Sequence, residues 1–336
     1  MTDALLERIA FEPVGSYLKE AVAFPQGLAP VVIGNNMSPD APLSSGTDVL
    51  VVTWTSAEWA ALADVLSPGW PKNKWQTYTH NWDEFEPHLT GRSPAKEAKC
   101  LGEYSMVRIG TQKVTLFHSQ LHLATDDATA PVVALWQQLI SEAQPELVIT
   151  TGTAGGIGAE TCLGDVFIVN SVKLNCTQTF KHESWAQEHF TSAGTTDNFP
   201  TMELVQKGEE LFAPFVDNLK PIATRVPTIT LGGDVETVDY FAFADTDDSY
   251  GVVANDPNAH TEEMDDGTLA VAISLMQPPN TTPWVSIRNA SDPQVASSIG
   301  TLEEQKQWAS KIYEKYGYWT TVNSAIACWV TIAALG

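Results

Sequence analysis

The sequence predicts an α/β protein built on a mixed central β-sheet that is flanked by helices. Short apolar, β-rich runs alternate along the chain with longer segments of helical period. The 336 residues show no internal repeat. Their composition, 43% hydrophobic with 9% aromatic residues, supports a large buried core. We therefore expect one α/β domain rather than a repeat array or a disordered chain.

The N-terminal part is predicted to be an extension that precedes the domain. Residues 1–46 begin with a short amphipathic segment and continue with Pro-, Gly- and Asn-rich sequence, and we expect them to lie over a surface or an interface. The domain is predicted over residues 47–336. Its first strand is expected at 48–53, and apolar side chains at helical spacing predict a helix at 56–66. Residues 67–100, rich in Trp, Pro and His, are interpreted as an insertion.

Two strands and a helix are predicted next. The strands are expected at residues 104–109 and 113–118. Asp126 or Asp127 could cap a helix that runs to about Ala143, since an Asp side chain accepts hydrogen bonds from a first helical turn.

A glycine-rich segment follows an apolar run at residues 147–149. The glycines at 152, 155, 156 and 158 predict a turn in which the backbone approaches a ligand closely. A dinucleotide-binding fingerprint is excluded, because that motif opens a helix and a second strand is expected here at residues 166–169.

The C-terminal half is expected to contain further strands and helices. In chain order, we predict an irregular stretch at 175–200, a helix at 203–219, a strand at 228–231, a helix that begins near Glu262, a strand at 283–287, and two helices at 302–316 and 318–334 that Gly317 separates.

Composition excludes several classes of function. The net charge of −23 argues against nucleic acid or an anionic membrane as a partner, because both require clustered Lys and Arg. Residues 1–12 lack the apolar region of a signal peptide, and no run is long enough for a membrane helix. The four cysteines show no metal-site or disulfide spacing. We expect a cytoplasmic protein with reduced thiols, no metal and no cofactor.

Two motifs resemble one known family. Thr151-Gly-Thr-Ala-Gly-Gly156, followed by Leu163-Gly-Asp-Val166, is similar to the nucleoside phosphorylase/nucleosidase superfamily, whose members cleave the N-glycosidic bond of nucleosides. The resemblance implies a single-domain phosphorylase/hydrolase-like fold, a small-molecule nucleoside as ligand, and a homo-oligomer, either a dimer or a hexamer.

The resemblance also implies a group that protonates the leaving base. Residues 283–292 read as an apolar strand that ends in a polar turn, and they resemble the family's strand ending in Arg-x-x-Ser-Asp. The matched Asp292 would be the general acid toward purine N7, which requires a raised pKa. Arg288 is predicted to belong to the substrate-binding residues, although an Arg in this position more often braces neighbouring carboxylates than touches substrate. Without the resemblance, Asp292 reads as a turn cap before Pro293.

A second motif would hold the sugar. Glu262-Glu263-Met264-Asp265-Asp266 resembles the family's Glu-Met-Glu signature, in which Met packs on ribose and the second carboxylate accepts hydrogen bonds from its hydroxyls. Here Asp265 replaces Glu and is one methylene shorter. The same residues also read as the acidic first turn of a helix.

The nucleophile decides between subclasses. Residues 49–62 resemble the opening of methylthioadenosine/S-adenosylhomocysteine nucleosidases, and the matched Glu58 would be the base that activates water. Phosphorylases instead carry an Arg that binds phosphate, whereas no Arg or Lys occurs between Asp48 and Pro71. The alternative is a surface Glu in a first helical turn.

Weaker matches complete the predicted site. Thr153, Ala154 and Gly155 of the glycine-rich segment would line the substrate, and Val235 lies in a segment expected beside the purine. Tyr240, Phe241 or Phe243 could stack on the base. His118 and His122 could face the site, although a structural role is the simpler interpretation of each.

The function predicted from the sequence is hydrolysis of adenine-type purine nucleosides. Three alternatives stay open. A phosphorylase could use Arg92 or Arg108, a nucleotide nucleosidase could use Arg92, Lys96 and Lys99, and a non-catalytic protein could bind or store nucleosides on the same fold.

Overall fold

The strands of the protein form one mixed sheet, and the predicted α/β class is confirmed. A computed structural model describes residues 17–34, 37–126, 129–158, 160–193, 199–223, 225–240, 255–292 and 301–336. Thirteen strands are present among these residues: β1 Val31–Val32, β2 Val49–Thr53, β3 Gln76–Tyr78, β4 Gly102–Ile109, β5 Gln112–Ser119, β6 Leu147–Gly156, β7 Val166–Val169, β8 Ser171–Asn175, β9 His189–Thr191, β10 Ile229–Leu231, β11 Asp234–Val238, β12 Ala259–Glu263 and β13 Trp284–Asp292.

Helices cover both faces of this sheet. The α-helices among the described residues are α1 Ser56–Leu66, α2 Trp82–Phe85, α3 Pro94–Ala98, α4 Leu123–Asp126, α5 Thr129–Ala143, α6 Met202–Phe212, α7 Asp266–Leu275 and α8 Leu302–Ala333. Short 3-10 helices lie at Lys72–Lys74, Glu86–His88 and Ala213–Leu219.

Successive side chains of a strand point to opposite faces of the sheet, and the hydrophobic core therefore forms two layers, one on each face. Val49 and Val51 of β2 pack in a cluster with α1, α6 and α8. Leu50 and Val52, which point to the opposite face, pack in a second cluster with α5 and α7. Because β2 is buried on both faces, it reads as a continuous apolar run, as is typical of a parallel central strand.

β6 is the strand around which polar ends of other strands converge. It pairs in parallel with β2 on one side and with β13 on the other. β2 ends at Thr53, and β12 then joins the vacated edge of β6 in antiparallel fashion at Gly155 and Gly156. The carboxyl ends of β2, β12 and β13 therefore lie along the C-terminal half of β6. The carboxyl ends of strands are where open α/β sheets place ligand sites.

Two strands run further than predicted. β6 continues through the glycine-rich segment to Gly156 instead of entering a turn, and β13 continues to Asp292. The glycines are needed because side chains from neighbouring elements press on the strand. A Cβ on Gly152 would lie 2.5 Å from Oε1 of Glu58, and one on Gly156 would lie 2.7 Å from Cγ2 of Thr161.

The end of the chain forms one helix rather than two. α8 continues through Gly317, whose backbone carbonyl accepts hydrogen bonds from the hydroxyls of Thr320 and Thr321. A helical glycine costs only about 1 kcal/mol relative to Ala. Burial of the helix from Tyr316 onward outweighs this cost.

Other boundaries also differ from the predictions. Glu262 lies on a strand, and the helix after it begins only at Asp266. Asp126 accepts a hydrogen bond from the amide of His122 and closes the short helix α4, whereas α5 begins at Thr129; Asp127 lies outside the described residues. The predicted helix at 203–219 is α6 followed by a 3-10 helix that contains Pro214.

Two further findings concern thiols and membranes. The four cysteines are unpaired, and Cys100, Cys176 and Cys328 are buried. Within the described ranges, no helix combines the length and the apolar character that crossing a membrane requires.

Candidate active site

A cavity of about 330 Å³ opens where the strand ends meet on β6. Nine residues predicted for the site line it, namely Glu58, Thr153, Ala154, Gly155, Glu263, Met264, Asp265, Arg288 and Asp292, whereas Val235 and His118 do not. The cavity is lined by Trp54, Thr55, Glu58, His122, Thr153, Ala154, Gly155, Val238, Tyr240, Glu262, Glu263, Met264, Asp265, Arg288, Ser291, Asp292, Ser310 and Tyr313. Its volume lies in the range of small-molecule sites.

Glu58 is buried in the cavity wall at the start of α1. Thr55 is the N-cap of this helix, and Glu58 at the third helical position forms a capping box with it. Oε2 of Glu58 accepts hydrogen bonds from the amides of Thr55 at 2.8 Å and Trp54 at 3.1 Å. The alternative of a surface glutamate is therefore wrong, since Glu58 is 2% exposed.

The second carboxylate oxygen of Glu58 is held by β6. Oε1 accepts hydrogen bonds from the amide of Thr153 at 2.8 Å and from its hydroxyl at 2.6 Å. Burial alone would raise the pKa of Glu58, but the charge of Arg288 and the hydrogen bonds from Thr153 and Thr55 outweigh burial and lower the pKa. Glu58 is thus an ionised carboxylate at neutral pH.

Asp292 has the opposite electrostatic character. It ends β13 and is buried, and burial raises its pKa to about 7, while the hydrogen bond from the hydroxyl of Ser291 at 2.7 Å opposes the rise. Two carboxyl groups of one cavity therefore have pKa values that burial and hydrogen bonding push apart. At neutral pH, Asp292 can carry a proton while Glu58 cannot.

Arg288 is a buried, positively charged residue of the cavity wall, and it forms ion pairs with two carboxylates. Its guanidinium is 3.0 Å from Oε2 of Glu263, and it donates through Nε to Asp266 at 2.9 Å and through Nη2 to the same carboxylate. It also lies 5.0 Å from the ring of Trp54. Since Glu263 and Asp266 occupy the guanidinium, Arg288 braces carboxylates, as its sequence context suggested.

Asp265 and Met264 follow the end of β12. Oδ1 of Asp265 accepts a hydrogen bond from the amide of Leu123 at 2.9 Å, and Oδ2 lies 3.5 Å from Nδ1 of His122. Met264 is partly exposed to the cavity. Glu263 is turned inward, where its carboxylate accepts hydrogen bonds from Thr237 and from the amides of Asp265 and Asp266.

The prediction for Val235 is wrong. This side chain is fully buried in the second core cluster, because its position on β11 points it away from the cavity. Val238 and Tyr240, at the end of the same strand, line the cavity instead. Of the three aromatic residues predicted to stack on the base, Tyr240 lines the cavity, and Phe241 and Phe243 lie outside the described residues.

Several lining residues were not found from the sequence. The main one is Tyr313 of α8, whose hydroxyl forms hydrogen bonds with Thr55 and Thr153, the two residues that hold Glu58. Burial, together with the charges of Glu58 and Asp292, raises the pKa of Tyr313 to about 12. Because α8 is far from the motifs in sequence, no local pattern indicates that it lines the cavity. The one available hint is that Ser310 and Tyr313 share one helical face.

The two histidines differ. His118 is structural, because its ring nitrogens face Oε2 of Glu103 at 2.8 Å and the carbonyl of Trp54 at 2.5 Å, and it stacks on Trp59. His122 lines the cavity. In the described ranges, no group of His, Cys, Asp and Glu has an arrangement that could hold a metal ion.

The other basic candidates lie outside the cavity. Arg92, Lys96, Lys99 and Arg108 are exposed and are absent from its wall. Lys96 donates to the carbonyl of Leu89, and Lys99 borders a separate surface depression beside Trp82. Arg288 is the one Lys or Arg among the described lining residues.

Comparisons with known proteins agree with this architecture. A family model described as Phosphorylase superfamily matches residues 84–309, a range that contains Asp292 and Glu263–Arg288 but begins after Glu58. No curated protein matches the sequence.

Solved structures share the fold at low sequence identity. A Helicobacter pylori 5′-methylthioadenosine/S-adenosylhomocysteine nucleosidase is 11% identical over 86% of this chain and 99% of its own, with a TM-score of 0.52. A Streptococcus pyogenes S-adenosylhomocysteine nucleosidase in complex with 5-methylthiotubericidin is 14% identical over 87% and 98%, with a TM-score of 0.51. A Helicobacter pylori nucleosidase mutant with 5′-methylthioadenosine in its active site is 10% identical over 85% and 98%, with a TM-score of 0.52.

Proposed function

Because the chain belongs to the phosphorylase superfamily, we propose that it hydrolyses the N-glycosidic bond of 6-aminopurine nucleosides. One observation carries this proposal: a low-pKa carboxylate, Glu58, and a high-pKa carboxyl, Asp292, line the same cavity. Hydrolysis needs a base for water and an acid for the leaving purine, and these two groups have the matching protonation states at neutral pH.

In the proposed reaction, the two groups act on opposite sides of the sugar. Asp292 donates its proton to N7 of the purine as the bond between C1′ and N9 breaks and positive charge develops on the sugar. The oxygen of a water molecule bonds to C1′, and Glu58 accepts the proton of that water. The products are the free base and the free sugar. Solvent then returns one proton to Asp292 and removes one from Glu58.

Electrostatics favour water over phosphate as the nucleophile. Glu58, Glu262 and Asp265 line the cavity, and the guanidinium of Arg288 is occupied by Glu263 and Asp266. A like charge 4 Å from a carboxylate costs about 4 kcal/mol at an effective dielectric constant of 20. A phosphate ion is therefore disfavoured here, whereas a cationic transition state is stabilised.

The acidic wall of the cavity also affects which substrates can bind. A 5′-phosphate would meet the same acidic wall, so the proposed substrates are uncharged nucleosides rather than nucleotides. The adenine-type base rests on Asp292, as the family resemblance implies. The adenosine-like ligands named for the solved structures support this choice without fixing the 5′ substituent.

A substrate panel tests the proposal. Adenosine, 5′-methylthioadenosine, inosine and AMP would be incubated with the full chain, and free base would be measured by chromatography. We expect base release from the first two, with inosine and AMP at least about 10-fold slower. Preferred turnover of AMP would overturn the assignment to nucleosides, and nucleoside binding without turnover would support the non-catalytic alternative.

A further inference from the structure

The sugar side of the cavity differs from the predicted carboxylate clamp. Asp265 is one methylene shorter than the Glu of the signature that it resembles, and the protein already occupies its oxygens. Oδ1 accepts the amide of Leu123 at 2.9 Å, and Oδ2 faces Nδ1 of His122 at 3.5 Å. Both oxygens of Asp265 are thus oriented toward the segment that carries His122, so the shorter acid and the imidazole stand together on the sugar side of the cavity.

We propose that His122, oriented by Asp265, is the residue that binds the 2′ or 3′ hydroxyl of the sugar and selects ribosides over deoxyribosides. This inference rests on the proposed function, because it names a specificity residue of the same cavity. The imidazole of His122 would extend to the sugar hydroxyls that Asp265, with its shorter side chain, does not reach.

The backbone around His122 is fixed by two acids. Its own amide donates to Oδ2 of Asp126 at 2.8 Å, and the next amide, that of Leu123, donates to Asp265. Asp126 is fully buried. The ring therefore projects from a pinned segment between β5 and α4 and needs little ordering when a ligand binds.

The contrast with His118 supports a ligand role. Both ring nitrogens of His118 have protein partners, Glu103 and Trp54. In the described part of the chain, His122 has a partner for Nδ1 but none for Nε2, although its ring lines the cavity. The side chain of His122 is 17% exposed. A sugar hydroxyl can donate to or accept from imidazole, so a bound sugar can supply a partner for Nε2.

Two substitutions of His122 distinguish the roles of its two ring nitrogens. The side-chain amide of His122→Asn can replace Nδ1 toward Asp265 but does not reach the position of Nε2, whereas His122→Gln extends to that position. Each variant would be tested for kcat/KM with adenosine, 2′-deoxyadenosine, 3′-deoxyadenosine and 5′-deoxyadenosine. Thermal unfolding of both variants would verify that the fold is intact.

For His122→Asn, we expect kcat/KM with adenosine to fall about 10- to 100-fold, with little change for one of the 2′- or 3′-deoxy substrates. His122→Gln should retain part of the preference for adenosine. An equal loss on all four substrates, no loss on any, or a loss abolished only by removing the 5′ hydroxyl would overturn the inference.

Failure of the proposed function gives a different result. If the wild-type chain releases no base, calorimetric binding of adenosine and its deoxy analogues provides the same comparison. A binding preference for adenosine that His122→Asn removes would then uphold the sugar contact while hydrolysis is rejected. Equal affinities in wild type and variant would reject the contact as well.

Discussion

Glu58 and Thr153 are joined by two hydrogen bonds to one oxygen: Oε1 of Glu58 accepts both the amide, at 2.8 Å, and the hydroxyl, at 2.6 Å, of Thr153. The contact links the first turn of α1 to the middle of β6. It also fixes the carboxylate in its ionised form, because charge-assisted hydrogen bonds favour the charged state. The general base that we propose is therefore held by the two most recognisable motifs of the sequence.

Glu58→Gln should abolish hydrolysis while leaving nucleoside binding. Loss of a general base lowers kcat by about 10²- to 10⁴-fold. Gln can keep the capping box with Thr55, so the change targets charge more than helix formation. The matched control is Glu304→Gln, which makes the same replacement in the second capping box, at Thr301 of α8, where the side chain is exposed. Comparable losses of kcat in both variants would contradict a catalytic role for Glu58.

Gly152→Ala should lower activity by displacing the carboxylate of Glu58. Its Cβ would lie 2.5 Å from Oε1 of Glu58, so the carboxylate must move away from Thr153. We expect a decrease in kcat of about 10²-fold, as small displacements of a reacting group commonly produce. Gly156→Ala, on the same strand but against Thr161, is the control for damage to β6. Normal kcat in Gly152→Ala would show that the position of Glu58 is unimportant.

Activity should fall as the pH rises through about 7, because Asp292 must be protonated to act as an acid. The pKa of Glu58, lowered from 4.5, keeps the base ionised over the neutral range. The logarithm of kcat/KM plotted against pH measures this. The residual activity of Asp292→Asn should no longer show this decrease above pH 7. If the decrease persists unchanged in the variant, it belongs to another titrating group.

The same pKa makes a prediction about stability. The folded-state pKa of Asp292 is raised from 3.8 to about 7, so the native state binds the proton more tightly than the unfolded state. Stability from this group is complete below the unfolded pKa and is lost as the pH rises toward 7. Relative to wild type, Asp292→Asn should therefore gain stability as the pH rises from 4 to 8, on the order of 4 kcal/mol. Denaturant unfolding of wild type and variant at pH 4 and pH 8 gives the difference in their free energies of unfolding. If this difference is the same at both pH values, burial does not raise the pKa of Asp292.

The sequence predicted the parts of the fold that depend on local pattern. β2, α1, β5 and β7 lie close to their predicted positions, because apolar period and capping signals are local. The continuation of β6 through its glycines could not be predicted, since those glycines are required by Glu58 and Thr161, which are distant in sequence. The predicted break at Gly317 does not occur, because tertiary burial outweighs local helix propensity.

The same limit applies to the site. Glu58, Asp292 and Arg288 belong to local sequence motifs, so the sequence alone could predict them. Val235 was assigned to the cavity because a motif gives the segment but not the face of the strand, and a shift of one residue reverses that face. His122 and Tyr313 acquire their positions from packing between segments that are far apart along the chain.

Tyr313→Phe should weaken catalysis without preventing binding. Its hydroxyl forms hydrogen bonds with Thr55 and Thr153, and its loss loosens the donors that hold Glu58. We expect kcat to fall about 3- to 30-fold with little change in KM, since a single hydrogen bond contributes about 1–2 kcal/mol. Tyr316→Phe is the control, because that hydroxyl lies on the same helix and donates to the carbonyl of Lys220 instead. A change in KM alone would assign Tyr313 to binding.

The most direct measurement is the rate of adenine release from adenosine as a function of phosphate concentration, with the sugar product identified. If Glu58 activates water, wild type releases adenine and free ribose in phosphate-free buffer, phosphate leaves the rate unchanged, and Glu58→Gln releases neither. Strict dependence on phosphate with ribose 1-phosphate as the product would contradict hydrolysis by this carboxylate.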